Sequence, residues 1–406
     1  MTVPGELSKS ELSRSDLPKS DLPRLDLPSA DFFSMESGLT GFEQQKLARL
    51  REFLAEKVAP YCVDWWNAAE FPEQILPELA KLGLSTAIQQ GYSPLFSGLV
   101  IAEMTRVDTS LATFFLVHHD LFVESLYLFG NDDQRERYLA DALALRTTGA
   151  FALTEPEHGS DVAGGMTTTA RRDGDGWLIN GSKRWIGNGT FCDHMLLWAR
   201  DAETGEMRGF ILNAELPGVT REKIENKIAL RTVQNAHILL EDVRVLEADR
   251  FQGINSFRDT NVLLQGSRVM VAWQAVGQQL GAFDIARDYA LNRLQFGKPL
   301  ASFQLVQAQL VKMLGNATAS LAMMAQLTSL PEMRMDQVAL AKAFTTERMR
   351  ETVAMGRAIL GGNGIVTDYR MAKCFADAEA IFTYEGSHEV NTLITGRSIT
   401  GISAFL

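Results

Sequence analysis

Beyond residue 40 the chain carries apolar positions at helical spacing. Leu47, Leu50, Leu54 and Val58 follow one another at steps of three or four residues, and Pro60 ends the run. Such steps place the apolar side chains on one face of a helix, which proline cannot continue. The same pattern predicts an all-helical N-terminal region, with helices around residues 47–58, 75–82, 97–130 and 133–145.

Between about residues 151 and 250 the apolar period changes to two, which is typical of strands with one buried face. Turn residues interrupt the alternation and predict a meander, with strands Gly165–Arg171, Trp177–Ile179 and Lys183–Ile186 and turns at Asp173–Gly176 and Asn180–Gly181. Further strands are predicted at His194–Arg200, Arg208–Asn213, Ala236–Leu240 and Val243–Val245. A small β domain is therefore expected in the middle of the chain.

After about residue 255 long helical segments return, with small residues that allow neighbouring helices to pack closely, as in a four-helix bundle. They cover Val269–Asn292 and about 301–330 and 335–360, and Gly361–Gly364 breaks the last one. We therefore predict a mainly α fold with a central β domain. Its domains are a tail over 1–40, a helical domain over 41–150, a β domain over 151–254 and a helical bundle over 255–406.

The tail repeats Ser, Asp, Leu and Pro, as in Ser15–Lys19 and Ser20–Arg24. Such a composition buries too little apolar surface to offset the entropy of ordering, so disorder is expected. The regularly spaced leucines leave open a docking role on a neighbouring subunit.

Composition narrows the possible functions. The 406 residues are 46% hydrophobic and 22% charged, and the net charge of −11 argues against a nucleic-acid-binding protein. Cys62, Cys192 and Cys374 lie far apart without metal-ligand spacing, which predicts a reducing compartment and no metal site. The absence of a membrane-length apolar run and of a signal segment predicts a soluble, cytoplasmic protein without membrane insertion.

One carboxylate near the C-terminus is a candidate general base. Glu385 follows the apolar and aromatic stretch Ala380–Tyr384 and precedes Gly386. Desolvation raises the pKa of a carboxyl group into a range useful for proton abstraction, and glycine leaves room for a ligand. On this stretch alone, a turn-forming glutamate at the mouth of a helix is the preferred interpretation.

Three further segments could hold a ligand. Phe151–Asp161 combines backbone donors, a threonine hydroxyl and a Gly-Ser turn, and Trp185 offers a flat apolar wall. Arg293–Gly297 with Gln304 could meet a pyrophosphate and an adenine, and Gly361–Gly364 could approach a cofactor. Inter-domain loops and helix caps are the alternatives. No GxGxxG follows a strand, so a Rossmann site is unsupported. No metal-ligand spacing surrounds the histidine pair His118–His119.

Taken together, these segments resemble the acyl-CoA dehydrogenases. The resemblance covers about residues 41–406 and rests on the α–β–α order with Leu153–Pro156, Gly159–Asp161, Arg293–Gly297, Gly361–Gly364 and Tyr384–Gly386. Within the family, Tyr384–Gly386 with Thr395–Arg397 is similar to the glutaryl-CoA dehydrogenase branch. The chain looks even more like plant peroxisomal short-chain acyl-CoA oxidases, through Lys183–Asn188 and Ser267–Trp273.

The resemblance implies a flavoenzyme of acyl-CoA metabolism, as in fatty acid β-oxidation. It implies FAD, a homotetramer, and Glu385 as the base that removes the α-proton of an acyl-CoA thioester while the β-hydrogen leaves as hydride to flavin N5. The implied FAD residues are Phe151, Leu153, Thr154, Gly159, Ser160, Trp185, Ile186, Gly187, Arg293, Phe296, Gln304, Gly361, Gly362, Ser387 and Glu389. The implied substrate residues are Ala112, Thr113, Ser160, Asn261, Arg268, Tyr384, Gly386 and Arg397.

Two departures from the family pattern bear on the electron acceptor and the substrate. Gly187 stands where many dehydrogenases carry a threonine, so oxygen is an alternative to an electron-transferring flavoprotein as acceptor. Ala112 stands where glutaryl-CoA dehydrogenases carry the arginine that binds the distal carboxylate, and Thr105 replaces its companion glutamate. An unpaired carboxylate in such a pocket is costly, so an uncharged short acyl chain is expected.

The sequence therefore predicts dehydrogenation of a short-chain acyl-CoA to a trans-2-enoyl-CoA. A chain ending Ser403–Leu406 lacks a peroxisomal tail, which favours a dehydrogenase over a peroxisomal oxidase. An oxidase, a glutaryl-CoA dehydrogenase and a catalytically idle acyl-CoA-binding flavoprotein are the alternatives.

Overall fold

A computed structural model describes residues 27–85 and 90–405. The N-terminal region is helical, as predicted, with α1 Gly41–Phe53, α2 Cys62–Ala68, α3 Leu76–Lys81, α4 Pro94–Val107, α5 Thr109–Phe115, α6 Glu124–Phe129 and α7 Asp132–Leu143. Two π-helical turns, Leu54–Val58 and Leu116–Val123, extend α1 and α5. The predicted apolar face of the first helix is buried along its whole length, at Leu47, Leu50, Leu54 and Val58.

The predicted tail lies mostly outside the described residues. Of its last part, Ala30 is buried, and Nη1 of Arg287 in the C-terminal region donates to the main-chain oxygen of Pro28 at 2.8 Å. Residues 27–40 therefore rest against the body of the protein. Disorder was predicted for the whole tail, residues 1–40, of which residues 1–26, with most of the leucine repeat, lie outside the described residues.

The middle region forms a seven-stranded sheet and one short helix. Its elements are β1 Gly149–Ala152, α8 Val162–Gly165, β2 Thr169–Asp173, β3 Gly176–Ile186, β4 His194–Asp201, β5 Met207–Asn213, β6 Val219–Lys223 and β7 Ala236–Leu246. The strand order is β1-β4-β2-β3-β7-β6, and β5 pairs with β4. Both β1 and β2 run parallel to β4, whereas the other pairs are antiparallel.

The predicted turn at Asn180–Gly181 is wrong. Strand β3 runs through both residues, because β7 pairs with it on either side and absorbs a register shift between Ile179 and Gly181. Gly181 has φ 148°, and Asn180 exchanges hydrogen bonds with Asp242 of β7, each 2.9 Å long. An Asn-Gly pair that favours a turn is therefore used here for a β-bulge.

Strand β2 also begins later than predicted. The N–H of Gly165 donates to the main-chain oxygen of Asp161 at 2.9 Å, which makes a helical turn instead of a strand start. The sequence reasoning also left strands β1 and β6 unassigned.

The C-terminal region is a helical bundle with a small hairpin. It consists of α9 Asn261–Asn292, β8 Leu294–Gln295, β9 Lys298–Pro299, α10 Gln304–Thr328, α11 Met335–Ile359, α12 Met371–Thr383 and α13 His388–Thr400. Helix α9 packs against α4, α10, α11 and α12. A Cβ at Gly98 would lie 2.1 Å from the ring of Trp273, and one at Gly277 would lie 2.2 Å from the oxygen of Ala102. Small residues thus allow α4 and α9 to approach closely.

Two cores result. One joins the helices of both helical regions, and includes Phe114, Trp273 and Ile381. The other fills the sheet around Trp177 and Phe210. Within 27–85 and 90–405, the helices are too short or too polar to cross a membrane.

Candidate active site

Glu385 lies on the short turn between α12 and α13. Tyr384 follows the last residue of α12, and Glu385 and Gly386 both adopt positive φ, 56° and 78°. Ser387 then caps α13, since its Oγ accepts a hydrogen bond from the N–H of Val390 at 3.3 Å. Positive φ is uncommon for a glutamate and costs about 1–3 kcal/mol. Surrounding contacts must therefore hold this residue in place.

Side chains from α9 and α11 supply those contacts. Oγ of Ser267 donates to Oε2 of Glu385 at 2.8 Å, and Nε of Arg268 donates to the main-chain oxygen of Glu385 at 3.1 Å. Burial raises the pKa of Glu385, while the Ser267 hydrogen bond and the charges of Arg268 and Lys342 oppose this rise. A carboxyl group with a raised pKa is suited to act as a general base.

The turn also presents a free backbone donor beside the carboxylate. The main-chain N–H of Glu385 has no acceptor among the residues that the structure describes. The next carbonyl, that of Gly386, accepts from Nδ2 of Asn391 at 2.8 Å. An unpaired N–H next to a base can polarise a substrate carbonyl, as in an oxyanion hole.

A buried polar network connects the turn with α5. The hydroxyl of Tyr384 donates to Oε1 of Gln274 at 2.7 Å, and Nε2 of Gln274 donates to Oγ1 of Thr113 at 3.1 Å. The Tyr384 and Thr113 oxygens lie 3.5 Å apart. Two residues predicted to line the substrate site thus meet next to Glu385, and Ala112 is fully buried beside Thr113.

Strand β3 holds the loop that follows β1. Nζ of Lys183, which is fully buried, donates to the main-chain oxygen of Leu153 at 3.1 Å and to Oε1 of Glu155 at 3.0 Å. The N–H of Arg184 donates to the main-chain oxygen of Thr154 at 2.8 Å. Three anchors between loop and strand therefore fix the segment that was predicted to contact the flavin ring.

The anchored segment leaves polar and aromatic groups available to a ligand. Within the described chain, the hydroxyls of Thr154 and Ser160 have no hydrogen-bond partner. Trp185 has φ 64° and an exposed fraction of 54%, whereas the next residue, Ile186, is buried. The indole face that Arg184 does not cover, together with the unpaired hydroxyls, fits a flat ring with a polar edge.

One helix face borders both the Glu385 turn and the Trp185 segment. Thr113 and Val117 are four residues apart on α5 and its π-helical extension, so they point to the same side. Thr113 reaches Tyr384, and a Cβ at Gly187 would lie 3.2 Å from Cγ2 of Val117. The structure therefore brings the Glu385 turn and the Trp185 segment to a common helix face.

The residues predicted for the ADP half of the cofactor lie elsewhere. Phe296 is 93% exposed at the tip of the β8–β9 hairpin. Nδ2 of Asn363 donates to the hydroxyl of Tyr289 at 2.8 Å, which ties the glycine segment to the end of α9 that also carries the hairpin. The predicted residues of this set are all exposed, namely Arg293, Phe296, Gln304, Gly361 and Gly362.

The remaining predicted residues are spread over α9 and α13. Asn261 is exposed at the start of α9, Glu389 is exposed in the first turn of α13, and Arg397 is exposed in its last turn. Their roles stay predictions.

Sequence reasoning missed three buried side chains that organise the site. Lys342, Gln274 and Lys183 are all fully buried. For Lys342 a signal existed, because it is the single charge in the otherwise apolar run Val338–Ala343. The contact partners of these side chains could not be read from their neighbours in sequence.

Family models for the N-terminal, middle and C-terminal domains of acyl-CoA dehydrogenases match residues 42–145, 150–243 and 254–400. A curated relative, the caffeyl-CoA reductase–Etf complex subunit CarC of Acetobacterium woodii, is 30% identical over 87% of this chain and 97% of its own.

Solved structures agree. Glutaryl-CoA dehydrogenase from Mycobacterium smegmatis has a TM-score of 0.89 at 30% identity and covers 94% of this chain and 100% of its own. A second structure of a glutaryl-CoA dehydrogenase from this organism, in complex with FADH2, has a TM-score of 0.89 at 28% identity and covers 93% and 100%. Butyryl-CoA dehydrogenase from Megasphaera elsdenii has a TM-score of 0.84 at 28% identity and covers 89% and 98%. With three domain models matched in order over most of its length, this chain belongs to the acyl-CoA dehydrogenase family.

Proposed function

We propose that the protein converts a short-chain acyl-CoA thioester to its trans-2-enoyl-CoA, with FAD as cofactor and Glu385 as the base. The observation that carries the proposal is the placement of Glu385, a carboxylate of raised pKa held by Ser267 beside its own unpaired N–H. Removing an α-proton needs a base and a polarised thioester oxygen together. The turn supplies both from one residue.

The residues on the opposite side fit a flavin. The unpaired hydroxyls of Thr154 and Ser160 could bind its polar edge, and Trp185 could lie against the ring. A structural neighbour in complex with FADH2 supports this assignment. When bound there, FAD supplies the acceptor for the β-hydride.

The ADP half would then rest on Arg293, Phe296, Gln304, Gly361 and Gly362. Their exposure on the single chain supports a cofactor held between two copies of the protein, in the homotetramer that the family resemblance implies. The exposed ring of Phe296 offers a stacking surface for an adenine.

The pocket wall favours an uncharged acyl chain. Ala112 is fully buried, and the hydroxyl of Thr105 donates a hydrogen bond to the main-chain oxygen of Ile101 at 2.7 Å. Neither residue can pair with a distal carboxylate, and burying an unpaired carboxylate is costly. Although a glutaryl-CoA dehydrogenase is a structural neighbour, we therefore infer a short uncharged substrate over glutaryl-CoA.

An electron-transferring flavoprotein is the acceptor we propose, since the relative CarC belongs to a complex with Etf. Oxygen is a second candidate because Gly187 has no side chain beside the proposed flavin site. Val117 packs against that position, which limits the space that the glycine opens.

The test is anaerobic bleaching of the flavin by a panel of C4 to C8, branched and glutaryl thioesters. We expect butyryl-CoA to bleach the flavin rapidly and glutaryl-CoA to bleach it slowly. Glu385→Gln should keep bound flavin but slow bleaching by about 10²–10⁴-fold, the usual contribution of a general base. The matched control is Glu222→Gln, at an exposed glutamate on β6 outside the residues assigned to the site, which should bleach at the wild-type rate.

Three results would contradict parts of this proposal. Undiminished bleaching in Glu385→Gln would place the base elsewhere, and equal turnover of glutaryl-CoA and butyryl-CoA would overturn the substrate assignment. After air is admitted, flavin that stays reduced for minutes supports the flavoprotein acceptor, whereas reoxidation within seconds supports oxygen.

A further inference from the structure

A buried lysine spans the turn that carries Glu385. Lys342, on α11, has no exposed surface, and its Nζ donates to the main-chain oxygen of Phe382 at 3.0 Å and to that of Gly386 at 2.9 Å. One carbonyl precedes Glu385 and the other follows it. The amine therefore joins the end of α12 to the far side of the turn.

The partners of Lys342 distinguish it from other buried lysines of the chain. Lys183 meets Glu155 at 3.0 Å and Lys373 meets Asp377 at 3.0 Å, as expected for buried charges. For Lys342, no carboxylate oxygen lies within 4.0 Å among the described residues. A buried amine that contacts only two carbonyls of one turn is placed to hold that turn.

Three other charges act on the amine, and an imidazole packs on Phe382, one of its two hydrogen-bond partners. Burial lowers the pKa of Lys342 to about 7, Glu385 and Glu389 oppose this shift, and Arg268 of α9 reinforces it. His388 of α13 stacks on the ring of Phe382 with centroids 4.9 Å apart. Both the charged and the neutral amine carry at least two N–H groups, so both hydrogen bonds persist when the proton is lost. Titration therefore changes the charge without removing the anchor.

We propose that Lys342 is a positioning residue for Glu385: its amine fixes the Phe382–Gly386 turn, and its positive charge favours the ionised carboxylate. The inference rests on the proposed role of Glu385 as the base. The charge of Lys342 lowers the pKa of Glu385, so its removal raises that pKa. The acid limb of the rate profile, where the base becomes protonated, then moves to higher pH.

The experiment is stopped-flow anaerobic bleaching of the FAD-loaded protein by butyryl-CoA between pH 5.5 and 9. In Lys342→Met, which keeps the length but lacks charge and donors, we expect the acid-limb midpoint to rise by about one pH unit. The rate should fall at least about tenfold near pH 6 and less at pH 9, while the affinity for the thioester stays within about twofold.

Lys342→Gln separates the two roles. Its amide keeps two N–H donors but no charge, so the midpoint should shift as in Lys342→Met while the rate at pH 9 stays closer to wild type. It also serves as the test if the methionine variant does not fold. Lys312→Met, on the exposed face of α10, is the control and should match wild type.

A merely structural lysine would lower thermal stability or flavin content without moving the pH midpoint. An unchanged midpoint in a folded, flavin-loaded Lys342 variant would therefore overturn the inference. Wild-type bleaching and its loss in Glu385→Gln are measured first with the substrate panel, so failure of the proposed function is recognised separately from failure of the role of Lys342.

Discussion

Two turns of this protein have similar backbone φ angles but different surroundings. Glu385 and Gly386 have φ of 56° and 78°, and Phe296 and Gly297 have φ of 51° and 77°. In each, a glycine follows a residue in the left-handed region and reverses the chain. The Glu385 turn is enclosed by α9, α11 and α13, whereas the Phe296 turn projects from the hairpin with its ring 93% exposed.

The comparison separates conformation from chemistry. In the Glu385 turn, neighbouring helices desolvate the carboxylate and raise its pKa. In the Phe296 turn, the aromatic ring is left exposed. The enclosed turn has its contacts within one chain, while the ring on the other turn is almost fully exposed. We infer that the acid–base half of the site is complete in a single subunit and the adenine half is not.

Of the three substitutions that test this comparison, Gly386→Ala should have the largest effect. The added Cβ would lie 3.2 Å from both Nη2 of Arg268 and Nδ2 of Asn391, at a φ that alanine tolerates poorly. Strain and displacement should cost about 1–3 kcal/mol of unfolding free energy. A shift of Glu385 should slow bleaching by about tenfold or more. Chemical denaturation measures the loss of unfolding free energy, and anaerobic bleaching measures the rate. A wild-type bleaching rate would show that the enclosure of the turn is unimportant for the reaction.

An intermediate effect is expected from Phe296→Ala, which should change the affinity for FAD instead of the bleaching rate. An exposed ring contributes little to folding, so stability should change by less than about 0.5 kcal/mol. The dissociation constant of FAD should rise about tenfold, as for an aromatic contact at an interface. Reconstitution of the apoprotein followed by fluorescence measures it. Ile228→Ala, another exposed apolar residue, is the control, and equal FAD affinity in both variants would contradict the assignment of Phe296.

The smallest effect is expected from Gly297→Ala, the counterpart of Gly386→Ala. Its φ is nearly the same, but no atom lies within 4 Å of the added Cβ. Only the backbone strain remains, about 1 kcal/mol, and the bleaching rate per bound flavin should not change. If both alanine variants slowed bleaching equally, the two turns would not differ in function.

Much of the architecture could be predicted from local pattern. The helix α1 begins with a capping box, in which Thr40 and Glu43 exchange hydrogen bonds of 3.2 and 2.9 Å, and its apolar face is buried as the spacing indicated. Such signals lie within one or two helical turns of each other. Strands β4 and β5 were predicted for the same reason, from the alternation of apolar positions, and they pair as an antiparallel hairpin.

The wrong turn prediction at Asn180–Gly181 has a distant strand as its cause. Asn180–Gly181 carries a turn signal, but β7 lies alongside and pairs with β3 on both sides of it. Pairing with a strand about 60 residues away outweighed the local preference of two residues. No property of the dipeptide itself distinguishes a turn from a bulge.

The sequence by itself determined the order of the elements, the family and the identity of the candidate base. It also determined that a glycine follows Glu385, which makes the turn possible. Only the tertiary structure decided that Ser267 contacts the carboxylate and that Lys342 holds the turn. These partners come from helices that are distant in sequence, and their meeting depends on how α9 and α11 pack against α12. Periodicity reveals which face of a helix is buried, but not which side chain of another helix it meets.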